Sequence, residues 1–291
     1  MSDAIKGVLA MVATCVTWGL SGIYYAELNH IPPLEVLAHR TIWSCAFFVI
    51  VILATGRVDK VREAVASPRT MALLFITALL ISANWFGFIF AIQNGQAMEA
   101  SLGYYIFPLV AVAIGFVVLG ERFGRAQAIA IVIAALAVLI LTVGLGVPPW
   151  IALVLSGTFG FYGLIKKQLA VGPVTSTFLE VSLILPLALI YLGGGVFAYD
   201  LRDMLLLMAS GVLTGGPLIG FAYAARRLNY ATLGLVQYVN PTLQFSVAVF
   251  VFGEAFTRWH GIAFPMIWGA LALYSYAVWR QDRAARKTSM A

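Results

Sequence analysis

The sequence is short of charge. Of its 291 residues only 10% are Asp, Glu, Lys or Arg, whereas 62% are hydrophobic. A soluble domain carries about 25% charged residues, so a water-soluble fold of this size has too few charges here to cover its surface. A soluble enzyme is excluded on that ground. A disordered chain is excluded too, because disorder needs low hydrophobicity and high net charge. Cysteine is nearly missing: Cys15 and Cys45 are the two, both inside apolar runs. With no CxxC pair and no Cys/His cluster, neither a disulfide framework nor a thiolate metal site is expected. Both thiols read as small apolar packing residues. The HExxH, Gly-x-Gly-Asp, Gly-x-Ser-x-Gly and Walker A signatures are also absent. That removes the common metalloprotease, hydrolase and direct ATP-driven classes, and no enzyme, metal or cofactor is expected.

What is present is apolar length. Mean hydropathy is +0.95, and a span needs about 20 mostly apolar residues. Ten such runs are readable, at 5–24, 35–55, 71–91, 99–119, 126–145, 150–165, 176–194, 204–223, 231–252 and 260–280. The first is long enough to span rather than to serve as a cleaved signal. Short turn-rich breaks such as Ile31-Pro32-Pro33, Gly120-Glu121-Arg122 and Gly172-Pro173 separate them, leaving no room for an extramembrane domain. The expected fold class is an all-α polytopic membrane protein of ten transmembrane helices. Its net charge of +6 then becomes a question of placement. With the N-terminus in the cytoplasm, fifteen of the eighteen basic residues fall inside: Lys6, Arg57, Lys60, Arg62, Arg69, Arg122, Arg125, Lys166, Lys167, Arg226, Arg227, Arg280, Arg283, Arg286 and Lys287. Positive residues in short loops mark the cytoplasmic side, so both termini are expected there. Arg202 and Arg258 fall outside, and Arg40 lies within the second span.

The chain also repeats itself. Ala100-Ser101-Leu102-Gly103 returns as Ala231-Thr232-Leu233-Gly234. Eleven residues separate Pro108 from Gly120-Glu121, and eleven separate Pro241 from Gly253-Glu254. Thr17-Trp18-Gly19-x-x-Gly22 is echoed by Thr158-Phe159-Gly160-x-x-Gly163. Two five-helix halves follow, 1–145 and 150–291, the second ending in a basic tail. Five is odd, so the second half enters the membrane from the opposite side. Inverted repeats are a common architecture of secondary transporters, with the substrate site near the midplane.

Several stretches are similar to one group of proteins. They are Glu35-Val36-Leu37-Ala38-His39-Arg40-Thr41-Ile42-Trp43, Asn84-Trp85, Glu99-Ala100-Ser101-Leu102-Gly103-Tyr104-Tyr105 and Leu119-Gly120-Glu121-Arg122-Phe123. Phe161-Tyr162-Gly163-Leu164 with Lys166-Lys167, and Thr232-Leu233-Gly234-Leu235-Val236-Gln237-Tyr238 through Asn240-Pro241-Thr242, complete the set. Together they resemble the RarD group of EamA-type transporters in the drug/metabolite transporter superfamily. The resemblance runs nearly end to end. It implies ten helices in two EamA repeats, a bacterial inner-membrane location and transport of small metabolites, often export. The group's name is tied to chloramphenicol sensitivity. In one departure, Phe107 precedes Pro108 where the group often has Asn, whereas the second half keeps Asn240-Pro241.

Ionisable side chains inside a span are costly and usually face a cavity. His39 and Arg40 sit about five residues into the second span, and Glu180, aligned with His39 by the repeat, sits at similar depth in the seventh. The expectation is that all three face a central cavity. There Arg40 or His39 meets an anionic group, Glu180 meets a cationic one, and an acid or base carries a coupling proton. The alternatives are a static ion pair, snorkelling to one face and, for His39 above all, a satisfied packing histidine. Asn84 and Trp85 lie mid-span, with substrate contact and interhelical hydrogen bonding as the two readings. Tyr104, Tyr105, Gln237, Tyr238 and Asn240 occupy the repeated segments. Pro108 and Pro241 remove a backbone hydrogen bond in each and are expected to kink the helix. Gly211-x-x-x-Gly215 and Gly216-x-x-x-Gly220 are expected to pack helices closely. The expected function is secondary transport of a small metabolite or drug-like molecule, an amino acid among the candidates, by alternating access, in the export direction and with proton coupling. The alternatives are a channel, a facilitative exchanger and a non-transporting bundle. Expected partners are the small-molecule substrate, membrane lipid and a coupling proton, with no nucleic acid.

Overall fold

Hydrocarbon supplies no water to a backbone N–H or C=O, so a spanning chain must satisfy both internally, and the helix does this within one segment. The computed structural model of the chain describes residues 3–119, 124–146, 149–195, 199–228 and 230–289. Its secondary structure there is helical throughout: α1 Asp3–Ala26, α2 Pro33–Ala54, α3 Val58–Val65, α4 Pro68–Gln93, α5 Ala97–Leu119, α6 Arg125–Leu145, α7 Trp150–Gln168, α8 Pro173–Gly193, α9 Leu201–Ala225, α10 Tyr230–Gln237, α11 Val239–Ser246 and α12 Arg258–Ser289. The turn residues do the punctuation. Pro33, Pro68 and Pro173 open helices, where a missing N–H is harmless. Gly146 closes α6 at φ 73°. The turn at 120–123, with Glu121 and Arg122, lies outside the described residues.

Seven helices among the described residues are long and apolar enough to cross a membrane: Ile5–Ala26, Pro33–Ala54, Pro68–Gln93, Ala97–Val118, Arg125–Leu145, Pro173–Gly193 and Leu201–Ala225. The remaining expected spans correspond to α7, to α10–α11 and to α12. Apolar side chains such as Ile50, Val117, Val143 and Ile190 point outward from the bundle, as lipid-facing residues should. Two features depart from the sequence reading. The stretch expected as a basic loop contains α3, whose Lys60–Glu63 and Arg62–Asp59 pairs lie at i,i+3 and whose Ala64 packs on Leu74 and Leu179. The expected ninth span is broken. α10 ends at Gln237, α11 starts at Val239, and a π-helical turn, Val247–Val251, follows. Pro241 cannot donate to Gln237, its i−4 carbonyl, and the Cys15 thiol points at the carbonyls of Val236 and Gln237 at 3.6 and 3.9 Å. By contrast α5 runs unbroken through Pro108.

Packing is mainly between the first five long helices and the later ones. α1 lies on α9 and α4 on α7; α5 packs on α7 and α1 on α11; α2 packs on α8, α5 on α11 and α6 on α12. Polar contacts gather several connections at one end. Glu27 pairs with Arg202, His30 meets Asp203 at 2.8 Å, and Gln93 donates to the carbonyls of Leu28 and Ile31 at 2.9 and 3.1 Å. Glu254 accepts from the free N–H groups of Ala97 and Met98 at 2.6 and 2.8 Å, capping α5. At the other end Gly7 of α1 lies against Arg227 and Leu228, just beyond α9.

Among the described glycines the tightest approach to a backbone atom is at Gly211 on α9, where a Cβ would stand 2.4 Å from the Trp43 carbonyl oxygen on α2. Gly216 on the same helix has nothing within 4 Å. Gly211→Ala should therefore lower the melting temperature of the purified protein, at a cost of about 1–3 kcal/mol for overpacking. Gly216→Ala should be neutral or slightly stabilising through helix propensity, and a fluorescence melt compares the two.

Candidate substrate cavity

The two sets of helices enclose a cavity of about 880 Å³, within the usual range for small-molecule sites, roughly 300–1,000 Å³. Trp18 of α1, Arg40 of α2, Asn84 and Trp85 of α4, and Tyr104 and Pro108 of α5 line one side. Phe159, Tyr162 and Lys166 of α7, Thr214 of α9, and Gln237, Tyr238, Asn240 and Pro241 around the α10–α11 break line the other.

Arg40 is 7% exposed. Its guanidinium sits 4.1 Å from the centroid of the Trp85 ring and 5.6 Å from that of Tyr25. Its Nε is buried with no hydrogen-bond partner. No carboxylate among the described residues pairs with it. Asn84, one turn above Ile81 on α4, has its amide fully engaged. Nδ2 donates to the Leu155 carbonyl at 2.9 Å and to Thr158 Oγ1 at 3.1 Å, and Oδ1 accepts from the Tyr104 hydroxyl at 3.0 Å. It ties α4, α5 and α7 together while its edge faces the cavity.

Glu180 does not line the cavity. It is 1% exposed, and it accepts from Thr77 Oγ1 at 2.7 Å, Lys166 Nζ at 2.8 Å and Tyr162 OH at 3.2 Å. Lys166 also donates to Ser176 Oγ at 2.5 Å. This correction has a simple cause: a carboxylate buried in a low-dielectric interior takes the nearest cation and hydroxyls, and Lys166, which reads in the sequence as a loop charge, reaches back one helix to supply it. His39 does not line the cavity either. Adjacent helical residues point about 100° apart, so with Arg40 turned inward, His39 turns toward Tyr199. Its Nε2 lies 2.9 Å from the Tyr199 hydroxyl, which donates in turn to Glu35 at 2.5 Å. Burial, reinforced by the Glu35 carboxylate, pushes the Tyr199 phenol above its ordinary value. The phenol thus remains the donor to Glu35 and His39 Nε2–H donates to it. Tyr105 faces a separate lateral cavity of about 750 Å³ with Trp268 and Tyr276, its hydroxyl on Thr242 at 2.9 Å. Tyr238 borders both cavities.

Against known proteins, the profile of the EamA-like transporter family matches residues 5–143. The chain is 41% identical to a protein of Vibrio cholerae serotype O1 described as an uncharacterized transporter, over 98% of this chain and 97% of that one. It is 41% identical to Protein RarD of Streptomyces exfoliatus, over 92% and 88%. The chain belongs to the RarD group of EamA-like transporters. A solved crystal structure with a TM-score of 0.60 covers 92% of this chain and 96% of its own at 19% identity, and shares the fold.

For a RarD-group protein the useful signal was the repeat. Trp18 and Phe159, aligned by it, both line the cavity. Phe159 itself, Tyr162 and Lys166 were missed as site residues, since an aromatic or terminal lysine carries no mark of which way it faces. The Lys166–Glu180 pair is a fold element, with side chains 19% and 0% exposed. Glu180→Ala should leave Lys166 buried and unpaired and cost about 3–5 kcal/mol, whereas the double variant Lys166→Met/Glu180→Leu should recover most of that. Melting curves of the three proteins check it.

Proposed function

We propose that the chain is a secondary transporter of a small metabolite or drug-like molecule, working by alternating access across the bacterial inner membrane. The observation that carries the reading is a cavity walled by both halves of the chain and cross-linked by polar contacts at one end. The pairing pattern supports two exchangeable halves. α1 on α9 is matched by α7 on α4, while α2–α8, α5–α11 and α6–α12 pair equivalent positions. The connections after α1, α4, α8 and α11 meet at one end, which supports ten crossings with both termini at the other. The distribution of basic residues then assigns the cross-linked end to the outside. In that orientation Gln127, Lys166, Lys167 and Pro173 line the cavity toward the cytoplasm, and the structure is an inward-facing arrangement. An outward-facing state would separate Glu27 from Arg202, His30 from Asp203 and Tyr199 from Glu35, and seal the opposite end. Glu180, saturated by Lys166 and two hydroxyls, favours exchange or facilitated movement over proton traffic through that carboxylate.

The test is cysteine accessibility in a background lacking Cys15 and Cys45. Ser21→Cys, half-buried on the cavity wall, should react with a membrane-impermeant thiol reagent in right-side-out and in inverted vesicles. Joining Glu27→Cys to Arg202→Cys by a disulfide should abolish the reaction from outside and stop counterflow in proteoliposomes. Access from one side only, unchanged by the disulfide, would overturn alternating access.

A further inference from the structure

The cavity has a one-sided charge. Among the described residues its lining contains Arg40, Lys166 and Lys167 and no Asp or Glu. Lys166 is compensated by Glu180 from behind the wall. Arg40 is not compensated. Its flat faces are covered by Trp85 and Tyr25, which offset part of the cost of burying a cation but leave the in-plane N–H fork without an acceptor. A guanidinium stays charged at any working pH, and a buried charge is stable only when paired or hydrogen-bonded. The fork has the geometry that binds a carboxylate through two parallel hydrogen bonds.

We infer that the cargo is a small organic monoanion, its carboxylate held by Arg40 and its planar apolar body lying among Trp18, Trp85, Tyr104 and Phe159. This names the substrate class of the cavity and rests on the transport reading above. Lys167 is exposed to solvent, so among the described residues Arg40 is the one buried, uncompensated cation of the lining, and it matches one negative charge. A dianion would carry an unmatched charge into the low-dielectric cavity, and a cation would meet Arg40 with no carboxylate free to receive it. The repeat reinforces the point. Aligning His39 with Glu180 puts Val181 opposite Arg40, and Val181 is buried in an apolar cluster with Cys45 and Phe48. The charge is therefore an addition to one half rather than a feature of the scaffold.

The experiment is calorimetric titration of the purified protein at neutral pH with three matched probes, phenylacetate, phenylacetamide and phenethylamine. The carboxylate should bind roughly tenfold or more tightly than the amide and the amine, as expected for a charge-assisted bidentate contact. Arg40→Gln should erase that preference and leave amide binding unchanged, and Arg40→Lys should keep part of it. Ligand-free Arg40→Gln should melt no lower than the parent, since it removes an unpaired buried charge. Should that variant fail to fold, the ranking of the three probes on the unmodified protein still decides. Equal binding of acid and amide, a preference for the amine, no binding of the acid, or a preference that survives Arg40→Gln would each overturn the inference. None of these outcomes touches two-sided access to Ser21→Cys, which alone decides the transport reading.

Discussion

Everything in this fold follows from the absence of water around the middle of the chain. A buried polar atom must find its partner within the protein, because lipid offers none. The backbone answers with helices. The side chains answer with a small set of closed networks: Asn84 with Leu155, Thr158 and Tyr104, and Glu180 with Lys166, Thr77 and Tyr162. Even the Gln237 carbonyl released by Pro241 faces a thiol, that of Cys15. Six buried side-chain atoms among the described residues lack a partner, and one of them, Arg40 Nε, belongs to a cation that lines the cavity. The guanidinium of Arg40 is buried in the bundle with aromatic faces and no anion.

The same scarcity of partners explains how the halves are joined. With lipid tails as apolar as leucine, helices gain little from hydrophobic burial and associate through close packing and hydrogen bonds instead. Gly211 lets α9 rest on the α2 backbone, and Gly103 lets α5 approach the backbone of α7 at Ala152. Polar links are concentrated at one end of the bundle, where Glu254 caps α5 from a distant connection. Burial holds the Glu254 carboxyl above the ordinary carboxylate range against the opposing pull of those two N–H groups. These end contacts are exposed or half-exposed, so each is individually weak. A seal built from several weak ion pairs and hydrogen bonds can open without disturbing the glycine-packed middle.

Depth was legible in the sequence and direction was not. Apolar length places a residue along the membrane normal to within a turn, so the long helices appear close to where the runs predict them. A helix turns about 100° per residue, and no pattern in a nearly uniform apolar run reports that angle. Hence His39, Arg40 and Glu180 were all read within long helices, α2 and α8, where they lie, but only Arg40 lines the cavity. The repeat held a better answer than depth alone. His39 and Glu180 are aligned with each other, and both turn away from the cavity. Trp18 and Phe159 are aligned, and both turn toward it. Short α3 was hidden because its eight residues carry too few apolar positions to stand out from a basic loop. Pro108 and Pro241 read alike in the sequence, yet only the segment of Pro241 is interrupted.

That contrast between matched positions separates what the scaffold does from what the site does. Where the halves agree, as in the reciprocal packing of α1 on α9 and α7 on α4, the proposed alternation would draw on two arrangements of similar energy. Where they disagree, they provide chemistry. Arg40 faces Val181 across the repeat, a continuous α5 faces a broken α10–α11, and Phe107 stands where the other half has Asn240. A perfectly symmetric pair of halves would present the same groups to cargo from either side and distinguish nothing about its charge. The asymmetric positions Arg40, Phe107 and Asn240 line the cavity, so on the proposed reading selectivity would reside in the residues that depart from the repeat, and the conformational cycle in those that keep it.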